Sequence, residues 1–276
     1  MSLNVVSNYA ASVAQRYLQK SDADATRSVA KLAAGTRVLS ARDDAASMAI
    51  GTKLKSDVIS LKQASVNVSQ AGSMIQIADG AMSTVTDILL RMKALATQGA
   101  SDQLGSTERG MLNTEFGALI SEVDRIAKVT NFDGKVLTDG TFASTGLKFQ
   151  VGHDNSSNDS IAVTIADVSK SALSIGSSSV SALSAATTAI TAINTAIDTV
   201  ATARASIGAS QNRLEFAGAS IATQMENAEA ARSTLMDLDV AAEMSSFTSN
   251  QILQQAGVSM LAQANQMPQN LLRLFR

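Results

Sequence analysis

Few side chains in this sequence have types and spacings that could do chemistry. Asp43 and Asp44 are adjacent carboxylates, the raw material of an acid–base pair or half a metal site. Neighbours on a helix project about 100° apart and do not converge on one ligand. At a helix start the same charges instead favour the N-terminal dipole, and the sequence suggests a long helix from near Ala41. Asp237, Asp239 and Glu243 could be imagined around calcium, but the stretch lacks the loop glycine and oxygen-ligand spacing of an EF-hand. It reads as solvated charge at the start of the last helix. His153, between Gly152 and Asp154, is the sole histidine and reads as a plain loop residue. One imidazole per chain gives no multi-histidine metal centre and little acid–base capacity. The absence of cysteine removes thiolate ligands, cysteine nucleophiles and disulfides. No convergent polar set is left for catalysis, so the expectation is a protein that is not an enzyme and needs no cofactor or metal.

The bulk properties narrow the partners. A net charge of −2 argues against a polyanion binder, and 3% aromatic residues argue against base-stacking platforms, so no nucleic acid is expected. No run of 18 apolar residues exists to span a bilayer, and no membrane insertion is expected. The N-terminal residues show no basic n-region, continuous apolar h-region or A-x-A site. Taken alone, that pattern favours a cytoplasmic protein.

The elements that could position anything are helices. From Ile50 a 4,3 alternation runs through Leu54, Leu61, Ala64, Val68, Ala71, Ile75, Ala78, Met82, Val85, Leu89, Met92 and Ala96, broken only at Asp57. A seam facing partner helices needs that spacing. Leu112, Phe116, Leu119, Val123 and Ile126 make a shorter block, and a third runs from Leu183 through Ile190, Ile193, Ile197, Val200 and Ile207 to Leu235. Between them, residues 131–182 are rich in Gly, Ser, Thr, Asn and Asp. Leu147, Phe149, Val151 and Ile161, Val163, Ile165 alternate there with period two, which predicts a β-hairpin. The serine-rich stretch from Ser169 to Ser184 reads as an exposed loop. The expected fold is mainly α, a long antiparallel helical hairpin or coiled-coil bundle with a small β-hairpin region in the middle of the chain. Most methionines, among them Met82, Met92, Met225, Met260 and Met267, fall at seam positions and read as core filling.

The chain ends form a matched pair. Leu3, Val6, Ala10, Val13 and Tyr17 keep helical spacing with no acid before Asp22. Leu253, Ala256, Met260, Leu261, Ala264, Met267, Leu271 and Leu274 make a second stripe with no acid after Glu243. Their remaining positions carry Gln, Asn and Ser where a soluble surface helix usually carries Glu and Lys. Such helices are expected to be ordered by neighbouring copies of the chain, so these residues are the expected polymerisation surface.

At this point the residues resemble the bacterial flagellins. KLAAGTRVLSARDDAASMAI at 31–50 is similar to the family's N-terminal motif. DGAMSTVTDILLRMKALATQGASD at 79–102, KVTNFDGKVL at 128–137 and FQVG at 149–152 resemble the next blocks. The C-terminal match is stronger: ARASIGASQNRLE at 203–215, LMDLDVAAEM at 235–244 and QILQQAGVSMLAQANQMPQNLLRLF at 251–275. Together they cover roughly the first 165 and last 75 residues, in order, leaving no room at 138–182 for large outer domains.

The resemblance implies a structural subunit that polymerises into the bacterial flagellar filament for swimming motility. It implies an inner core from residues 1–42 with 236–276, and a helical rod from 43–235 carrying the β-hairpin region. It also implies export unfolded through the flagellar type III apparatus without a cleavable signal, hence an extracellular location in the filament. The implied partners are the chain itself, the flagellar cap and hook-associated proteins, a cytoplasmic secretion chaperone on the C-terminal segment, and animal toll-like receptor 5. By motif position Arg91, Leu95 and Glu115 match the receptor patch, while Ala94 and Lys93 depart from it. Arg37, Arg42, Asp43 and Asp44 fall where inner and outer segments join, and ion pairing between subunits is expected there. Some flagellins carry O-linked sugars on outer Ser and Thr residues. The nearest alternative, a hook–filament junction (hook-associated) protein, shares the resemblance at both ends but typically lacks the long QANQ-type C-terminal match.

Overall fold

The computed structural model describes residues 8–274, with side chains as far as Met267. Leu3 and Val6, and the side chains of Leu271 and Leu274, lie outside the described part. Five α-helices dominate: α1 (Tyr9–Ala34), α2 (Ala45–Gly99), α3 (Ser106–Val129), α4 (Leu183–Met236) and α5 (Val240–Leu274). Two short antiparallel pairs lie between α3 and α4, β1 (Asn131–Phe132) with β2 (Lys135–Val136) and β3 (Leu147–Gln150) with β4 (Ser160–Val163). The mainly α fold with one small β region in mid-chain is as expected. The contacts divide the chain into a terminal unit, Met1–Ser56 with Asn227–Arg276, and a central unit, Asp57–Glu226.

In the central unit α2 and α4 run antiparallel. Gly99 lies against Val180 and Ala186, Arg204 reaches Asp79 at 2.8 Å, and Gly218 lies against Val68. Residue numbers rise along one helix as they fall along the other by the same amount. α3 folds back along α2, with the Arg109 guanidinium donating to the carbonyl oxygens of Gly99 and Ser101. The α2 seam is buried as its spacing predicts from Leu61 to Ala96, with Val68 half-buried; Ile50 is exposed and Leu54 half-buried. α4 departs from expectation. Ile193, Val200, Ile207, Leu214 and Ile221 recur every seven residues in the core, with Ala189, Ala196 and Ala203 four residues before the first three, while Ile190 and Ile197 flank the seam half-buried. The alanines leave volume for Met82, Leu89 and Met92 of α2, all fully buried, so large and small residues alternate across the interface.

The β region hangs on this core. Asp133 and Gly134 both take positive φ, 49° and 75°, in the two-residue turn joining β1 and β2, as a tight hairpin requires. Leu147 pairs with Val163 and Phe149 with Ile161, the alternating residues expected to face the core. The serine-rich segment is not the exposed loop that its composition suggests. Leu173, Ile175 and Val180 are buried in the core cluster. Asn113 Oδ1 accepts hydrogen bonds from the Val180 amide and the Ser179 hydroxyl, and Asp124 meets both Lys128 at 2.8 Å and Lys170 at 3.5 Å. Three apolar residues among serines suffice to draw the segment inward.

In the terminal unit α1 and α5 pair antiparallel. Asn8 donates to the Ala264 carbonyl at 2.8 Å, Gln254 to Asp22 at 2.7 Å, and Lys31 lies 3.8 Å from Glu243. Their shared seam keeps strict 3,4 spacing and is mostly small and polar: Ala11, Ala14, Ser21, Ala25 and Ser28 against Asn250, Gln254, Gly257 and Ala264, with Leu18, Leu32, Phe247 and Leu261 as its large apolar members. Gly257 permits a close approach, since a Cβ there would stand 3.2 Å from the Leu18 side chain. α2 begins at Ala45 rather than near Ala41, because the Asp44 carboxylate accepts the amides of Ala46 and Ser47 and caps the helix.

Candidate functional site

The residues expected to drive polymerisation sit one position off the chain's own seam. Ala10, Val13 and Tyr17 each precede Ala11, Ala14 and Leu18, and Leu253, Ala256 and Met260 precede Gln254, Gly257 and Leu261. Because the offset is the same on both helices, the two stripes meet. All six line one groove of about 560 Å³ along the α1/α5 pair, together with Tyr9 and Leu18, and no charged side chain lines it. Tyr9 is 77% exposed, Tyr17 68%, Leu253 55% and Met260 63%, and Met267 is exposed as well. Met260 and Met267 are therefore surface residues and not core filling. Ala264 differs, being buried within the chain's own pairing, and Leu261 is half-buried there. Ile252 and Val258 are further exposed apolar residues outside the groove, and Tyr9, four residues before Val13, extends the α1 stripe.

The expected junction charges have work inside the chain. The Arg37 amide donates to the Met236 carbonyl at 2.7 Å and the Leu238 amide to Gly35 at 3.2 Å, a short antiparallel bridge between the two connections. The Arg37 guanidinium donates to the Leu235 carbonyl at 2.9 Å and to Ser47 at 3.2 Å, and lies 3.7 Å from Asp44. Hydrogen bonds from the Ser47 hydroxyl and amide hold the Asp44 carboxyl below the usual carboxylate range, with the Ala46 amide and Arg37 adding to them. Asp43 accepts from Leu39 and Ser40 and closes the turn before α2, and Arg42 is exposed. The acids near residue 240 do not converge either. Asp237 pairs with Thr36, Asp239 caps α5 at the Ala241 and Ala242 amides, and Glu243 faces Lys31. His153 sits in the β3–β4 loop, 3.5 Å from Asp154.

Of the receptor-patch residues, Arg91 and Glu115 form an exposed ion pair between α2 and α3 at 2.6 Å. Leu95 is not part of that surface. It is only 2% exposed, because it lies three residues beyond Met92 and turns into the same core.

Two family models match the chain: the bacterial flagellin N-terminal helical region over residues 5–143 and the C-terminal helical region over 190–275. The chain belongs to the flagellin family. A flagellin of Halalkalibacterium halodurans is 36% identical over 91% of both chains, and flagellin FlaB2 of Treponema pallidum is 34% identical over 98% of both. A solved structure described as a flagellar hook-associated protein from Vibrio parahaemolyticus superposes with a TM-score of 0.53, covering 71% of this chain and all of that one. At 15% identity the likeness speaks to fold alone. This flagellin is accordingly a structural subunit that polymerises into the flagellar filament. No described helix is long and apolar enough to cross a membrane.

Proposed function

We propose that the α1/α5 groove and the apolar residues around it are the surface through which one subunit packs on its neighbours. A helix pair that fills most of its own seam with small and polar residues while leaving Tyr9, Tyr17, Leu253 and Met260 outward supports this reading above all else. Full burial of a large apolar side chain contributes about 1.5–3 kcal/mol, and more than half of that area is still uncovered on Tyr17, Leu253 and Met260 in the isolated chain. The terminal residues, 1–42 with 236–276, are the polymerising inner core, and 43–235 form the stiffening rod. No residue set performs catalysis. The subunit leaves the cell unfolded through the flagellar export apparatus and works outside it; a chain with no cysteine refolds there without oxidative chemistry. A cytoplasmic chaperone on the C-terminal segment, the cap and the hook-associated proteins are its transient partners. Recognition by toll-like receptor 5 rests on the Arg91–Glu115 pair.

The test is Leu253→Asp combined with Tyr17→Asp. Electron microscopy and sedimentation should find no filaments, while circular dichroism of the purified subunit keeps its cooperative central-unit transition. Normal filaments from this variant would remove the groove from the assembly surface.

A further inference from the structure

A second groove, about 510 Å³, lies in the central unit along the first half of α4, where Thr195, Asp198, Thr199, Thr202 and Ser206 face Asp167. Every one of its helix hydroxyls donates to the carbonyl four residues back: Thr195 to Thr191, Thr199 to Thr195, Thr202 to Asp198 and Ser206 to Thr202, at 2.8–3.2 Å. A hydroxyl has one proton, so these side chains offer only lone pairs outward. Asp167 and Asp198 add carboxylate oxygens, which are acceptors too. Along its α4 side and at Asp167 the groove therefore presents acceptors, a surface that suits a donor-rich cation.

The chain brings no such cation to the groove. From Leu183 to Ala203 the helix carries a single charged residue, Asp198. The first cation beyond it, Arg204, is committed to Asp79. Elsewhere in the central unit Lys135 and Lys148 are exposed, and among the described residues neither has an acid within 4.0 Å. Acceptor-only and donor-only surfaces on one chain complement each other between copies, since a contact joining two different patches propagates instead of closing on itself.

We infer that the α4 groove is a subunit–subunit contact in which a neighbouring copy lays a lysine-bearing surface against the Thr–Asp face. The inference rests on the filament reading above and adds a polar contact in the central unit to the apolar one at the termini. Because the chain has no cysteine, Ala205→Cys supplies a single thiol, seven residues beyond Asp198 and so on the same face. Ala209→Cys, eleven beyond, serves if the first variant does not assemble. A bulky maleimide should label this thiol readily in the monomer and lose that labelling in filaments. Asp198→Lys should block elongation without changing the melting of the monomer. Equal labelling of monomer and filament, or elongation of Asp198→Lys at the wild-type critical concentration, overturns the inference. So does spermidine that protects the monomer thiol at low ionic strength while filaments stay reactive, which would make the groove a site for a free polycation. Failure of the wild-type chain to form filaments would refute the filament reading itself; filaments with an open groove refute only this contact.

Discussion

The two units solve the same packing problem with opposite materials. In the central unit the helices bury Met82, Leu89, Ile193 and Ile207 in their own seam and leave serine, threonine and charged residues outside, with Ile59, Met111 and Phe216 exposed singly among them. In the terminal unit α1 and α5 bury Ala25, Ser28 and Ala264 and leave Tyr9, Tyr17, Leu253 and Met260 outside. Both seams keep heptad spacing, so periodicity does not separate them; side-chain volume does. A seam of large apolar residues makes a unit that folds alone, whereas a seam of small and polar ones holds register and reserves hydrophobic area for other copies.

Four measurements would break or sharpen that contrast. The largest effect is expected from one charge in the terminal groove. Met260→Asp should abolish filament growth in seeded polymerisation and leave thermal unfolding of the central unit where it was. If the central unit melts lower as well, the two units are not independent in this respect. Next, Ile193→Ala should destabilise the central unit by about 2–5 kcal/mol in urea unfolding, because it removes a fully buried branched side chain. The equivalent truncation at Leu253 should cost the monomer far less, since more than half of that residue is already exposed to water. A smaller contrast is expected from hydrogen exchange on the monomer. Amides of α2 between Leu61 and Ala96 should exchange only through global unfolding, and those of α1 and α5 through local opening. Equal protection of both sets would refute the division of labour.

The smallest effect concerns acid. In the central unit a hydrogen bond from Lys128 outweighs the cost of burial and, with the charges of Lys128 and Lys170, lowers the Asp124 carboxyl below its ordinary range. The folded pKa lies below the unfolded one. The pair therefore stabilises the fold above the unfolded value, about 3.9, and that stabilisation disappears as pH falls through the lowered folded value. Asp124→Asn should flatten the acid limb of central-unit stability followed by urea unfolding across the carboxylate range. An unchanged acid limb would show that this staple on the 169–181 segment contributes nothing.

Much of this was legible in the sequence, and the gaps have physical causes. The α2 seam could be read residue by residue from Leu61 to Ala96, since large apolar residues there face a partner in the same chain. The hairpin residues Leu147, Phe149, Ile161 and Val163 were legible for the same reason. On α1 and α5 the stripes through Tyr17 and Met260 were legible as faces, but spacing does not say whose surface a face meets; the chain's own seam, one residue along, was too polar to stand out. On α4 the isoleucines at 190 and 197 drew attention from Ala189 and Ala196, because an apolar pattern weights size whereas a close helix pair prefers small residues. Leu173, Ile175 and Val180 were hidden among serines, and their irregular spacing carries no period. Leu95 was matched to a surface patch by motif position alone, and its turn of helix decided otherwise.

The antiparallel pairing of helices far apart in sequence also fixes an order of events. Gly99 meets α4 at Ala186, Leu61 packs with Ile221, and Asn8 reaches Ala264 only across almost the whole chain. Each doubling of the loop to be closed costs about 0.6 kcal/mol more, and contacts already formed shorten every loop that remains. Loop-closure cost alone therefore favours zipping that starts near the middle of the chain and runs outward, with the end helices coming together last. Those helices also carry the surface proposed for contact with other copies, so in this order the chain would become adhesive only after the rest of it has folded.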